Sequence, residues 1–325
     1  MRQRYSIITL AILATAIWIS LNSGVVKLHN VLKLILGIGP TDEVLIMHEI
    51  RGPRILAAIL VGATLGIGGV LSQGTLRNPL AEPLLLGTTG GSALFTLLGL
   101  LIFNVTIGSP TALIFGVIGA LIATLLTFEA SRRGKDTFAF IVMGIAVSAT
   151  LTALVGIVSI MINKPEARGV TFWSLGTLSM ATKEQVLTLL PILILSWIAA
   201  IMIAPHLDYL ALGDIRAKHL GKNVSRIRIM AFLIISISVG AITSIFGQIA
   251  FLALAIPHIS RAMVGVRHRS LAINSALLGA TLLLLADLAA RTWVSPNELP
   301  IGLMSALIGA PILISVVRKK LAKNA

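Results

Sequence analysis

The sequence predicts an all-α integral membrane protein with about ten transmembrane helices. Composition is the first observation behind this. Of 325 residues 56% are hydrophobic and only 12% charged, and the mean hydropathy of +0.98 lies far outside the range of soluble domains. Spacing is the second: apolar blocks of the length that a hydrocarbon core demands, about 20 helical residues, follow one another with short polar breaks between them. The third is the scatter of Lys and Arg over alternate breaks, which gives the chain an orientation.

Taken in order, the spans are expected near residues 6–22, 54–73, 84–104, 110–129, 138–162, 186–204, 227–246, 250–264, 271–290 and 302–319. The first has the basic start and apolar run of a signal peptide but no small-x-small cleavage site, and further spans follow it, so it reads as a retained helix. The second is rich in glycine, with Gly62 and Gly66 in GxxxG spacing and Gly68 and Gly69 beyond, the pattern of close helix approach. After it comes GTLRNPLAEPLLLGTTGG, where Pro79 and Pro83 forbid a regular helix. Irregular backbone at membrane depth is tolerated where protein buries it or where it lines a wet cavity. That segment is therefore either the border of a pathway or an ordinary turn outside the bilayer. Between spans five and six, Trp173 is expected in the aromatic belt at the membrane interface. The eighth span is short and carries Pro257, His258 and Arg261, while in the ninth Asp287 and Arg291 are four residues apart and can meet on one helix face. Residues 1–325 read as a single transmembrane domain.

The longest strongly polar interruption runs from Pro205 to Arg228 and is basic, with Arg216, Lys218, Lys222, Arg226 and Arg228 against Asp208 and Asp214. By the positive-inside tendency it faces the cytoplasm, and an even span count then makes both termini cytosolic. Sorted on that basis, 18 of the 26 basic residues fall inside and eight outside. Within the loop Asp214 can cap a short helix that ends at Gly221, and Leu212, Ile215 and Leu220 form an apolar edge on it. Two readings stay open for it, a docking knob on the cytosolic side or a solvated basic loop near lipid.

Several chemistries are missing. There is no cysteine, hence no disulfide, thiolate metal site or Cys nucleophile. No GxxxxGK[ST] phosphate loop and no HExxH occur, and the six histidines show no pair at metal-ligand spacing, so neither ATP hydrolysis nor a bound metal or other cofactor is expected. A gradient-driven secondary transporter is expected to bury carboxylates at midplane, yet among the twelve acidic residues only Asp287 falls inside a firmly assigned span. The charge of +14 is spread over many loops and forms no continuous basic face, which argues for membrane orientation and against nucleic acid.

Together these segments resemble the FecCD family of bacterial ABC-importer permeases, the type II importers that include vitamin B12, haem and ferric-siderophore permeases. The marks are RGPR at Arg51 to Arg54, VGATLGIGGVLSQ followed by RNPLAEPLLLG, FWSLG, LGDIRAKHLG, GQIAFLALAIPHISR, LLLLADLAAR and ELPIGLMSALIGAP, in order over about 270 residues. Ala253 and Ser92 depart from the family's usual glycine and alanine. The resemblance implies the type II importer permease fold, in a multi-pass subunit of the bacterial cytoplasmic membrane. That subunit would be paired with an identical or sister permease, with two ATP-binding subunits below and a substrate-binding protein above. It implies a conduit that is not itself an enzyme, carrying an iron chelate (ferric siderophore or haem) or, as the alternative, vitamin B12. Residue by residue it places ATPase coupling at Leu212, Gly213, Asp214, Ala217, Leu220 and Gly221, and binding-protein docking at Arg51, Arg54 and Arg291. A translocation path or gate is expected at Gly66, Gly69, Gln73, Asn78, Pro79, Asp136, Thr137 and Phe138.

Overall fold

A computed structural model of the chain describes residues 2–23, 31–131, 137–162, 167–295 and 297–324. Helix α1 (Arg2–Asn22) is followed by short helices α2 (Val31–Ile35) and α3 (Thr41–Leu45), and a π-helical turn, Ile46–Arg51, leads into α4 (Gly52–Leu76). A 3₁₀ turn at Pro83–Leu86 precedes α5 (Thr88–Phe103), α6 (Pro110–Ala130) and α7 (Thr137–Met161). Next come α8 (Ala167–Ser174), α9 (Lys183–Leu210), α10 (Asp214–His219), α11 (Val224–Phe246), α12 (Leu252–Val264), α13 (His268–Thr292) and α14 (Ile301–Asn324). No strand occurs among the described residues.

Seven stretches are long and apolar enough to cross a membrane: Tyr5–Asn22, Thr41–Leu76, Pro110–Ala130, Phe138–Met161, Lys183–Leu210, Val224–Phe246 and His268–Thr292. Three shorter apolar helices, Thr88–Phe103, Leu252–Val264 and Ile301–Ile312, fall where the remaining three spans were expected. Two of these are short for a visible reason. Ahead of α5 the two prolines leave only a turn and a 3₁₀ segment, and ahead of α12 the chain runs without helix through Gly247 to Phe251. Phe251 itself is left-handed, with φ 65°.

Helix α4 is the axle, buried along almost its whole length and packed by α9, α11, α12 and α13. Its glycines make that possible. A β-carbon on Gly62 would lie 2.3 Å from the Gly279 carbonyl oxygen, and one on Gly66 would lie 2.1 Å from that of Ser275. Without a hydrophobic drive between helices in lipid, such backbone contact is where dispersion holds them. Outside this core α7 leaves Phe138, Ile145, Ile157 and Ile160 exposed, an apolar face suited to lipid or to another subunit. Helix starts follow ordinary capping chemistry: Thr182 and Gln185 form a capping box on α9, and Asn223 caps α11. The start of α13 is held from across the fold, where Asp208 Oδ1 accepts from the His268 backbone N–H at 3.1 Å and contacts its Nδ1 at 2.6 Å.

The two departures from the family pattern are accommodated. Ser92 donates to the Gly240 carbonyl at 2.8 Å and so ties α5 to α11, and buried Ala253 turns its carbonyl against Gly69.

Candidate functional site

The expected short helix exists as α10, with Gly221 in the left-handed conformation at φ 73° closing it through Lys222 N–H to Ala217 O at 3.0 Å. Its apolar edge is real: Ile215 is 74% exposed, and Leu212 and Leu220 about half, whereas Ala217 is fully buried. The cap differs from expectation. Gly213 is the N-cap residue and no side chain caps the helix; Asp214 stands one position later, in the first turn. Arg228 Nη2 donates to Asp214 Oδ1 at 3.0 Å and Arg77 Nη2 lies 3.3 Å from the same oxygen. A bidding pair of arginines outcompetes a local backbone N–H because a charged hydrogen bond is about twice as strong as a neutral one. Arg228, at the end of the basic interruption, is buried.

Arg77 follows the last residue of α4 and opens the irregular segment that the sequence marks with Asn78 and Pro79. The Asn78 side chain accepts from Leu80 N–H at 2.9 Å, and the Ala81 N–H bonds to Asn78 O at 3.1 Å, making a firm turn. Gln73, one turn before the end of α4, donates to Leu254 O at 3.2 Å and accepts from Arg261 at 3.1 Å. Beyond the turn Glu82 is buried. Glu82, Pro83, Thr89, Gln248 and Ala253 line a cavity of about 60 Å³, where the buried Thr89 hydroxyl finds no hydrogen-bond partner among the described residues. That is room for roughly two waters, not for a chelate. Sequence reasoning assigned no role to Glu82, because a carboxylate between two prolines reads as loop. Asp287 is thus not the one buried acid among the described residues, since Glu82 is buried outside the spans.

At the other end of α4, Arg54 Nε donates to both Asp287 oxygens at 3.0 and 3.1 Å, and its Nη1 donates to both oxygens of Glu298 at 2.9 and 3.0 Å. Asp287 is 1% exposed. The expected Asp287–Arg291 pair is a looser contact at 3.8 Å, because Arg291 is drawn to the Ser20 and Ser23 carbonyls at 2.7 and 3.1 Å. Arg51 donates to Leu21 O at 2.7 Å. All three arginines placed on a docking surface are thus largely turned inward in this chain taken by itself. Near this end an open cleft of about 760 Å³ is lined by Asn104, Phe172, Ser179 and Gln185 among others, a size that suits a small chelate.

Other expected site residues are dispersed. Gly66 and Gly69 face α13 and α12 backbone and act as packing positions. Phe138 is 75% exposed at the start of α7; Thr137 begins that helix, and Asp136 lies outside the described residues. Trp173 does not face outward. The short α8 tucks it inward, 4% exposed, with its indole N–H donating to Ile245 O at 3.1 Å.

This architecture and its segments match the FecCD transport family over residues 9–319. The chain belongs to that family. It is 35% identical to the hemin transport system permease protein HmuU of Yersinia pestis over 277 residues, 84% of this chain and 83% of that one. To the Fe(3+) dicitrate transport system permease protein FecC of Escherichia coli it is 34% identical over 290 residues, 88% and 87% of the two chains. A solved structure of a metal-chelate type ABC transporter in an inward-facing conformation aligns with a TM-score of 0.85 at 28% identity, covering 98% of this chain and all of that one. The protein is a multi-pass membrane permease of this family.

Proposed function

We propose that the chain is the permease subunit of an ATP-driven importer that takes up an iron chelate, a ferric siderophore or haem, handed over by a substrate-binding protein. The observation that carries the reading is α10: a short helix with an exposed apolar edge, anchored by Asp214 and joined to the bundle at both ends, in a FecCD chain that has no phosphate loop of its own. Such a helix suits the groove of a separate ATP-binding subunit. The relatives named for hemin and ferric dicitrate support the cargo class. On this reading α10 and both termini are cytosolic in a bacterial cytoplasmic membrane, and a second permease, identical or sister, covers the exposed face of α7. Two ATP-binding subunits complete the engine. The opposite end, with Arg51, Arg54 and Arg291, receives the binding protein, and a carboxylate of that partner exchanges with the partly exposed Glu298 on Arg54.

The test is uptake of radiolabelled iron as haem, ferric citrate and a ferric hydroxamate, with labelled cobalamin alongside. It uses proteoliposomes that contain the permease, its ATPase and its binding protein. ATP-dependent accumulation of one iron chelate is expected. Uptake driven by an imposed proton or sodium gradient without ATP would overturn the reading.

A further inference from the structure

Two of the three non-glycine residues with left-handed backbone among the described residues, Arg77 and Phe251, mark the two ends of one mechanical path. Arg77, at φ 48° and ψ 31°, ends α4 and reaches Asp214, the first residue of α10, at 3.3 Å. From Arg77 the chain passes through the Asn78 turn to Glu82, which lines one small buried cavity with Gln248, Ile249 and Ala250, the stretch that leads into α12. A residue with a β-carbon adopts this conformation only where its surroundings hold it there. For Arg77 the helix end itself holds it, since its own N–H and that of Asn78, the latter at 3.2 Å, both bond to the Gln73 carbonyl; its guanidinium then passes Gly213 to reach Asp214. The same Asp214 oxygen accepts from buried Arg228 of α11, so α11 anchors α10 while Arg77 ties it to the segment after α4. The Arg77 contact is also the wetter of the two, with side-chain exposures of 36% and 27%. An ion pair so placed adds little stability, which leaves positioning as its use.

We infer that Arg77 is a positioning residue through which displacement of α10 moves the segment from Asn78 to Glu82 and, through it, the start of α12. The inference rests on the reading of α10 as the contact with the ATPase.

The experiment uses the complete reconstituted transporter with whichever of haem, ferric citrate or a ferric hydroxamate it accumulates. Arg77→Gly removes the side chain while keeping the left-handed backbone accessible, so a folding defect is not built in. With the ATPase still co-purifying, iron transported per ATP hydrolysed is expected to fall about fivefold or more, the lower edge of ordinary coupling between sites. Arg77→Lys should recover part of the loss. Asp214→Asn should reproduce it, and the double variant Arg77→Gly/Asp214→Asn should be no worse than the worse single one. An unchanged ratio in Arg77→Gly overturns the inference. So does a loss that Arg77→Lys leaves untouched and that follows thermal stability, since the residue is then structural. Ile215→Glu serves as the control: if it retains the ATPase, the α10 contact fails and takes this inference with it, whereas loss of the ATPase there beside an intact ratio in Arg77→Gly sinks this inference alone.

Discussion

Arg54 and Arg77 bracket the same helix, α4, and each holds a carboxylate, yet the two contacts differ in kind. Arg54 closes on Asp287, which is 1% exposed, with Glu298 completing its coordination. Arg77 meets an Asp214 that is open to solvent and already shared with Arg228. Arg54 lies in the first turn of α4 and Arg77 just past its last residue, roughly 35 Å apart along the helix at 1.5 Å per residue. Taking a buried pair apart exposes each charge to an apolar surround, so the Arg54 end resists rearrangement; an exposed pair exchanges partners cheaply with water and ions. One helix therefore has a fixed end and an adjustable end. Its glycine contacts with α13 keep the rod stiff between them.

The comparison breaks most easily at the fixed end. Asp287→Ala leaves the Arg54 guanidinium buried against Glu298 alone, and a loss of about 3–5 kcal/mol is expected, read as thermal unfolding in detergent or as failure to accumulate in the membrane. A loss below about 1 kcal/mol would mean that water reaches this pair and that the two ends are alike. Next in size is the rod itself. Gly66→Ala places a methyl group against the Ser275 carbonyl, and α4 and α13 must separate. A loss of about 1–3 kcal/mol is expected from such overpacking, and Gly66→Leu should prevent assembly. Wild-type stability in Gly66→Ala would show that the two helices are free to shift, which the stiff-rod picture forbids.

How much of this was legible in the sequence follows from which signals are local. Span positions came from apolar run length, which the bilayer imposes on every helix, and the α10 helix came from Gly221 and the polar break around it. Partner choice did not come through. Asp287 was expected to meet Arg291 because four residues along a helix is a distance that sequence displays, whereas Arg54, 233 positions away, becomes its neighbour only once α4 packs on α13. Trp173 was placed in a belt by residue type, whereas a hydrogen bond to Ile245 on α11 turns its ring inward. Asp214 read as a cap for the same reason, since neither Arg77 nor Arg228 is within local reach. Glu82 carried a usable signal, an acid enclosed by Pro, Ala and Leu, but its burial depends on α12 closing over it.

Smaller effects belong to the adjustable end. A side chain at Gly221 meets nothing within 4 Å, so Gly221→Ala isolates the backbone term: φ 73° is left-handed, and the substitution should cost about 1–2 kcal/mol, felt in α10 rather than in the bundle. Gly221→Asn should cost less, because asparagine tolerates that region. Hydrogen exchange of the α10 amides checks both. Equal protection in wild type and Gly221→Ala would show that the helix is held from elsewhere and that this end is less adjustable than the comparison has it.

The smallest effect on stability should come with a loss of function, and that separation is the sharpest test of the contrast between the two ends. Ile215 is 74% exposed, and Leu212 and Leu220 flank it on the apolar edge of α10. An isolated bundle draws nothing from a side chain that touches water, so Ile215→Ser should change unfolding by no more than about 0.5 kcal/mol. The same side chain, seated in an apolar groove of a partner, would remove its surface from water at about 25 cal/mol per Å². Co-purification of the ATPase should therefore weaken and iron uptake fall, while the thermal unfolding of the permease alone stays where it was. Asp287→Ala should give the reverse pattern, a permease that is hard to recover but whose surviving fraction still binds the ATPase. If Ile215→Ser instead destabilised the bundle as much as Asp287→Ala, α10 would be part of the core. If it altered neither stability nor ATPase binding, the exposed edge would be a lipid contact and the adjustable end would have lost its partner.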